Sequence, residues 1–237
     1  MPDKIELKEV TFAYGPMPVL RNLSISVERG EIVLIGGRSG HGLSTLLEIC
    51  VALLHPKTGN VFWDGCDCAE MSKERLLQVR QSMGFMFQNG ALISNYTVFD
   101  NIALPLRNRA RLSAEVVERR VRYEMENLML VNADTFYPEA LSVFQCKAVA
   151  LARALISEPD MLLLDDPVGG MDQQAARGLL NIIEQRWKIK RMGIIMITHD
   201  LDPWPHLPVR RFTLESGALS PCTPDRAGTI NRTGNTL

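Results

Sequence analysis

The sequence has little that would tie it to a membrane interior, a nucleic acid or an oxidising compartment. No stretch approaches the ~20 consecutive apolar residues needed to cross a bilayer. The start, Met1-Pro2-Asp3-Lys4, runs into an alternating segment rather than an apolar signal core, so no secretion signal is expected. Neither sign of charge is in excess. The 26 basic and 27 acidic residues leave a net charge of -1, which lacks the basic footprint of a nucleic-acid partner or an anionic membrane. Cysteine is scarce as well, with five in the chain, an odd count in a protein too large to need disulfide staples. Cys66 and Cys68 are close together, but no second pair has zinc-ligand spacing. All five are expected to be reduced thiols, as in a cytoplasmic protein.

What is present is the composition of a globular domain, 46% hydrophobic and 22% charged over 237 residues. That hydrophobicity excludes disorder of the whole chain. The length predicts one large domain, or one with a subdomain. Residues 5–12 give a mixed alternating strand signal and residues 23–27 a cleaner one, followed by a turn at Glu28-Arg29-Gly30-Glu31. Residues 32–35 form a continuous apolar run, the mark of a strand buried on both faces. This run leads into a glycine-rich segment, Gly36 to Gly42, and then a helical stretch over 44–54. About 97–156 reads as mostly helical, with Ser113 as a cap before an amphipathic pattern. Residues 161–164 are a second buried strand, ending in Asp165-Asp166-Pro167. A helix from Gln173 to about Trp187 leads to a third, 194–197, ending in Thr198-His199-Asp200. Three buried strands separated by helices predict a parallel α/β sheet, and ligands of such sheets bind outside the carboxyl ends of the strands. Residues 211–214 and 218–219 look like a last strand pair. From about Thr223 the chain is polar and reads as a loose tail.

Strand, glycine loop and helix in succession are the context that gives a phosphate-loop match its meaning. The pattern G-x-x-x-x-G-K-[ST] is met here by Gly37-Arg38-Ser39-Gly40-His41-Gly42-Leu43-Ser44, with Thr45 next. Glycines let backbone N–H groups turn inward as an anion nest, and the helix behind them aims its positive end at the same phosphates. Ser44 stands where a hydroxyl would hold Mg²⁺. Leu43, however, stands where a lysine would reach the β- and γ-phosphates, and leucine offers neither charge nor donor. By itself the loop is equally well read as a plain glycine-rich turn. Its companions favour the ligand reading. Asp165 ends an apolar strand and suits Mg²⁺ through water, Asp166 follows where a base could polarise water, and His199 ends another buried strand.

With these motifs the sequence resembles the nucleotide-binding subunits of ABC transporters, from about Lys4 to Ser220. Val10-Thr11-Phe12-Ala13-Tyr14-Gly15 looks like the segment whose aromatic stacks on adenine, which nominates Tyr14. Gly84-Phe85-Met86-Phe87-Gln88 looks like the glutamine loop, and Leu141-Ser142-Val143-Phe144-Gln145 looks like the signature motif. Residues 165–172 look like the Walker B segment and the D-loop, ending at Asp172, while Ile197-Thr198-His199-Asp200 looks like the histidine switch. The stretches Phe87 to Leu92 and Thr97 to Arg107 look like the ATPases of Mla-type (MCE-associated) phospholipid transporters. The resemblance implies a P-loop NTPase (RecA-like) core with a parallel sheet, an N-terminal antiparallel β subdomain and an inserted helical subdomain at about 90–157. All of this lies within an ATP-binding domain over 1–222. It implies ATP and Mg²⁺ as cofactors. Nucleotide would be held by Tyr14 and the 37–45 loop, the metal by Ser44, Gln88 and Asp165, and catalysis would fall to Asp166, His199 and Gln88. Ser142, Val143, Phe144 and Gln145 would be presented in trans to a partner's site. A membrane permease and a second ATP-binding subunit are the implied partners, at the cytoplasmic face of the inner membrane, with a coupling groove at about 87–101.

Four departures fall on the chemistry. Leu43 replaces the phosphate-binding lysine, Val143 and Phe144 replace the paired glycines of the signature, and Asp166 replaces the usual glutamate. The helix expected after the histidine switch is interrupted by Pro203, Pro205 and Pro208. Val143 and Phe144 add bulk where glycine permits close backbone approach. Asp166 is one methylene shorter than glutamate, and a misplacement of ~1 Å can cost about 10²-fold in rate. Arg38 is a candidate substitute for the lysine, with a solvated arginine as the competing reading. His41, mostly neutral at pH 7, is a poorer substitute. In a homodimer both sites would combine Leu43 with Val143-Phe144, and with an intact partner each site would carry one of the two defects. Three functions follow from the sequence. One is a nucleotide-binding subunit with impaired hydrolysis. Another is an active ATPase with a rearranged site using Asp166 and His199. The last is a nucleotide-independent scaffold that caps a permease.

Overall fold

The computed structural model describes residues 2–38, 40–107, 112–199 and 203–222. Ser39, Asp200 and the 223–237 tail lie outside the described residues. In chain order the elements are β1 (Lys4–Tyr14), β2 (Met17–Glu28), β3 (Ile32–Gly37), α1 (Leu43–Cys50), β4 (Thr58–Trp63), β5 (Cys66–Asp67), α2 (Lys73–Arg80) and β6 (Met83–Met86). These are followed by α3 (Val98–Arg107), α4 (Ala114–Asn127), α5 (Val143–Leu155), β7 (Met161–Asp165), α6 (Gln173–Lys190), β8 (Gly193–Ile197), β9 (Val209–Glu215) and β10 (Ala218–Pro221).

Two sheets result. The first is antiparallel, in the order β2-β1-β4-β5, and the second runs β10-β9-β3-β8-β7-β6. In the second sheet β9, β3, β8, β7 and β6 are parallel, and only β10 is antiparallel to its neighbour. The three apolar runs expected to be buried on both faces are β3, β7 and β8, the centre of this sheet. Their side chains alternate between two cores, as the pleat requires. Leu34, Leu162, Leu164, Ile194 and Met196 face one core, together with α3, α4, α5 and α6. Val33, Ile35, Leu163, Ile195 and Ile197 face the other, with α1 and the antiparallel sheet.

Helix α1 is shorter than the expected 44–54. It begins at Leu43 and stops at Cys50, because Ala52 takes a left-handed conformation with φ 52°. Leu53 N–H then donates to Glu48 C=O at 2.8 Å and Ala52 N–H to Ile49 C=O at 2.9 Å, the paired bonds that close a helix end. Ser113 does cap α4, accepting from Val116 N–H at 3.4 Å. The β9–β10 hairpin turns at Ser216 and Gly217, both with positive φ, the geometry that suits strand twist. Residues 203–208 hold no helix. The Pro-rich stretch instead docks on the body of the protein: Trp204 is buried in the core, and His206 Nε2 lies 2.8 Å from the Glu184 carboxylate on α6. The cysteines are free, and burial pushes the Cys50 and Cys68 thiols up to about 12. No helix among the described residues is long and apolar enough to cross a membrane.

Strand β6 contains Gly84, whose missing side chain lets α5 approach. A Cβ there would lie 2.5 Å from Ala154 O and 2.8 Å from Leu162 Cδ1. Gly84→Ala is therefore expected to lower stability by about 1–3 kcal/mol, the usual cost of overpacking, read as a shift of the urea midpoint.

Candidate functional site

The site forms at the carboxyl ends of the central strands. Ile197, the last residue of β8, pairs with Ile35 of β3 on one side and Asp165 of β7 on the other. The segments that follow these strands therefore emerge at one level and enclose a cleft of about 240 Å³. The phosphate-loop residues Gly40, Gly42, Leu43, Ser44 and Thr45 form one wall, and Gln88, Asp165, Asp166 and His199 form the other. Tyr14, at the end of β1, stands at the rim. It is 55% exposed, edge-on to Phe12 with ring centroids 4.9 Å apart, and its hydroxyl lies 3.5 Å from Thr45 Oγ1.

Gly40 and Gly42 have φ of 82° and 94°, conformations that L-residues adopt only at a cost. A Cβ on Gly40 would meet nothing, whereas one on Gly42 would fall 2.5 Å from Val19 Cγ1. The loop is thus shaped by glycine before any ligand arrives. Ser44 lies in the first turn of α1 and lines the same cleft as Asp165. Burial pushes Asp165 up from the usual carboxylate range, and the neighbouring Asp166 adds to the rise. Glu48, on the same helix as Ser44, is also pushed up, by burial first and then by Asp165. A hydroxyl and a carboxylate are the hard oxygen donors that Mg²⁺ prefers. Among the described residues no group of three or more His, Cys, Asp or Glu is placed to hold a metal ion. A Mg²⁺ here would share its shell with a nucleotide's phosphates, so the donor set fits Mg²⁺ carried by nucleotide.

No lysine or arginine among the described residues lines the cleft. Leu43 is buried and packs into the core, its methyl groups against the underside of the loop at Gly37. Arg38 is exposed and outside the cleft lining. His41 also lies outside that lining, with its Nδ1 buried and unpaired. Asp166 has φ 45°, and its carboxylate folds over Gly169. A Cβ on Gly169 would fall 1.9 Å from Asp166 Oδ2, so the D-loop glycine makes room for this pose.

The signature residues are not in the cleft of their own chain. Ser142 and Gln145 cap α5 reciprocally: Ser142 Oγ accepts from Gln145 N–H at 3.2 Å, and Gln145 Oε1 accepts from Ser142 N–H at 2.9 Å. Both polar side chains are thereby engaged at the helix end. Val143 is exposed, while Phe144 packs on the core. Asp172 caps α6, accepting from Ala175 N–H at 2.9 Å. A second cavity, of about 410 Å³, adjoins the cleft and shares Gln88 and Asp166 with it. It is also lined by Lys147, a residue for which sequence reasoning assigned no role. The available signal was a lysine in a run of small apolar residues, Cys146-Lys147-Ala148-Val149-Ala150.

Residues 20–169 match the family described as ABC transporter. The chain belongs to that family. It is 33% identical over 198 residues to the intermembrane phospholipid transport system ATP-binding protein MlaF of Haemophilus influenzae, covering 84% of this chain and 75% of that one. The Escherichia coli K12 protein of the same name is 34% identical over 197 residues, covering 83% and 73%. The aliphatic sulfonates import ATP-binding protein SsuB of Zymomonas mobilis is 32% identical over 215 residues, covering 91% and 83%. Among solved structures, a dimeric bacterial ABC transporter cassette superposes with a TM-score of 0.83 at 29% identity, covering 91% of this chain and 96% of that one. The fold expected from the resemblance, an ABC ATP-binding domain with an antiparallel and a mainly parallel sheet, is the fold observed.

Asp165 provides a pH test of this geometry. A carboxylate raised by burial leaves the native state holding more protons than the unfolded chain, so stability falls as pH rises above the unfolded value of about 3.9. Asp165→Asn is expected to raise the thermal midpoint at pH 7. The gain should shrink as pH is lowered and vanish below about 4, as followed by circular dichroism melts across pH.

Proposed function

We propose that this chain is the nucleotide-binding subunit of an ABC transporter that moves phospholipid, acting at the cytoplasmic face of the inner membrane. In this reading it closes on Mg²⁺-ATP but hydrolyses it slowly or not at all. The observation that carries the proposal is a shaped phosphate loop facing a Ser44–Asp165 pair in a cleft that, among the described residues, no lysine or arginine lines. The glycine nest, the N-terminus of α1 and the Ser44 and Thr45 hydroxyls would hold phosphates. Ser44, Asp165 and Gln88 would hold Mg²⁺, which when bound spreads the charge of the phosphates. Without the lysine, transition-state stabilisation is lost, and removing one such donor costs about 10²–10³ in rate. The MlaF relatives support phospholipid as the cargo. A ligand that binds only the closed state shifts the equilibrium toward it without any chemistry, so nucleotide would act as the dimerising ligand for two subunits under a permease.

A second reading, an active ATPase, draws on Asp166, His199 and Gln88 meeting in one cleft. Calorimetry of Mg²⁺-ATP on the purified chain, beside Asp165→Ala, tests the first reading. Binding that weakens in the variant is expected, and no binding up to millimolar ATP would leave a scaffold. Turnover with the permease then separates the two readings. If the missing lysine limits hydrolysis, Leu43→Lys is expected to raise turnover by about 10²-fold.

The permease would dock beside α3. A cavity of about 540 Å³ there is lined by Phe99, Leu106, Arg107 and Leu112. Asp100 is already engaged by Arg107 at 2.8 Å and by the Thr97 hydroxyl at 2.9 Å, which makes Phe99 the cleaner probe. Phe99→Asp is expected to reduce permease co-purification while leaving Mg²⁺-ATP binding intact.

A further inference from the structure

Lys147 is a charged residue 93% buried, at 7% exposure, in the first half of α5. Burying an ammonium is costly unless it is paired and hydrogen-bonded. Its Nζ donates to the Gln88 carbonyl and, at 2.6 Å, to the Asp166 carbonyl. These acceptors lie 59 and 19 residues away in sequence, one just after β6 and the other just after β7. Both belong to residues whose side chains line the cleft. Burial pulls Lys147 down, while Asp166 and then Asp165 hold its charge in place. In return Lys147 is the cation that acts on Asp165, against the effect of Asp166. Arg153, further along α5, also reaches the glutamine loop, through the Ala91 and Gly90 carbonyls at 2.9 and 2.5 Å. Lys147 differs in bonding to the Asp166 turn as well.

We propose that Lys147 is a positioning residue of the cleft: its ammonium bolts the Gln88 loop to the Asp166 turn and gives the paired carboxylates the neighbouring cation that Leu43 does not supply. Helix α5 starts at the signature segment, so any shift of that helix end moves the ammonium and with it both walls of the second cavity. An ammonium has three donors, and two are used on carbonyls. An apolar side chain of similar length would leave the Asp166 carbonyl buried without this partner and would release the part-buried Gln88 carbonyl. It would also leave Asp165 and Asp166 facing a nucleotide's phosphates with no cationic side chain beside them, so that the Mg²⁺ carried by the nucleotide would be the remaining counter-charge. The role in nucleotide binding rests on the reading given under Proposed function, whereas the mechanical coupling does not.

The test uses the full chain with Lys147→Met, Lys147→Gln and Lys147→Arg. Hydrogen exchange without nucleotide is expected to rise in Lys147→Met at residues 87–89 and 166–170 by about tenfold, the scale of losing a hydrogen bond from a charged group. Strands β3 and β8 should stay as protected as before, and Lys147→Arg should restore the pattern. Calorimetry is expected to show Mg²⁺-ATP affinity lowered by about tenfold in Lys147→Met, with adenosine affinity unchanged, since adenosine carries no phosphate to meet the carboxylates. Exchange that stays unchanged at both segments, or that rises equally in β3 and β8, would overturn the coupling. Equal losses for ATP and adenosine, or no loss of ATP, would overturn the electrostatic role. If the native chain binds no Mg²⁺-ATP, the nucleotide reading falls and the exchange measurement by itself decides the coupling. If Lys147→Met does not fold, Lys147→Ala, which removes the donor, is read against the same exchange outcomes, and Lys147→Gln, which keeps a donor and loses the charge, against the same ATP and adenosine outcomes.

Discussion

The register of β3, β8 and β7 is the constraint on which the site depends. Ile197 is bonded between Ile35 and Asp165, so three strands from distant parts of the chain end side by side. A slip of one residue would reverse which face of the sheet each side chain meets, and the alternation of Leu34, Leu162 and Met196 into one core and Ile35, Leu163 and Ile195 into the other forbids it. Hydrophobic burial therefore fixes where the polar segments emerge. The phosphate loop, Asp165-Asp166 and Thr198-His199 have no freedom to be elsewhere.

On that frame the cleft combines a glycine-shaped phosphate-type loop with a lining that, among the described residues, holds no lysine or arginine. The loop glycines keep their positive φ, and Ser44 and Asp165 line one cleft. Leu43, which begins α1, turns into the core beneath the loop. Burying an apolar side chain there stabilises the loop from below, while the electrostatics are left to groups outside the loop. The carboxylates find a cation behind them, on α5, and not in front. Under the proposed function, this exchange would link nucleotide binding to the position of α5, whose first turn holds Val143 and Phe144.

The segment that resembles a signature motif is also more settled than its sequence suggests. Ser142 and Gln145 satisfy each other's backbone groups, so Val143 and Phe144 sit on a well-capped helix. Phe144 packs inward and Val143 outward. The bulk that replaces two glycines is thus divided between the core and the exposed face. The D-loop has its own glycine requirement at Gly169, where the Asp166 carboxylate occupies the space of a side chain.

Sequence by itself determined the central strands, the phosphate loop with its missing lysine, and the polar residues at the strand ends. Each of these is a local signal: an apolar run, a glycine spacing, or a carboxylate after a strand. The short β6 and the β4–β5 pair were not legible. Gly84 interrupts the former, and its glycine is explained only by Ala154 lying against it. The end of α1 was not legible either, since Ala52 gives no signal for the left-handed turn it makes. Tertiary structure alone decided that Leu43 faces the core and that Lys147 is buried between two carbonyls. Those outcomes depend on contacts between segments tens of residues apart, whose energies no local pattern records.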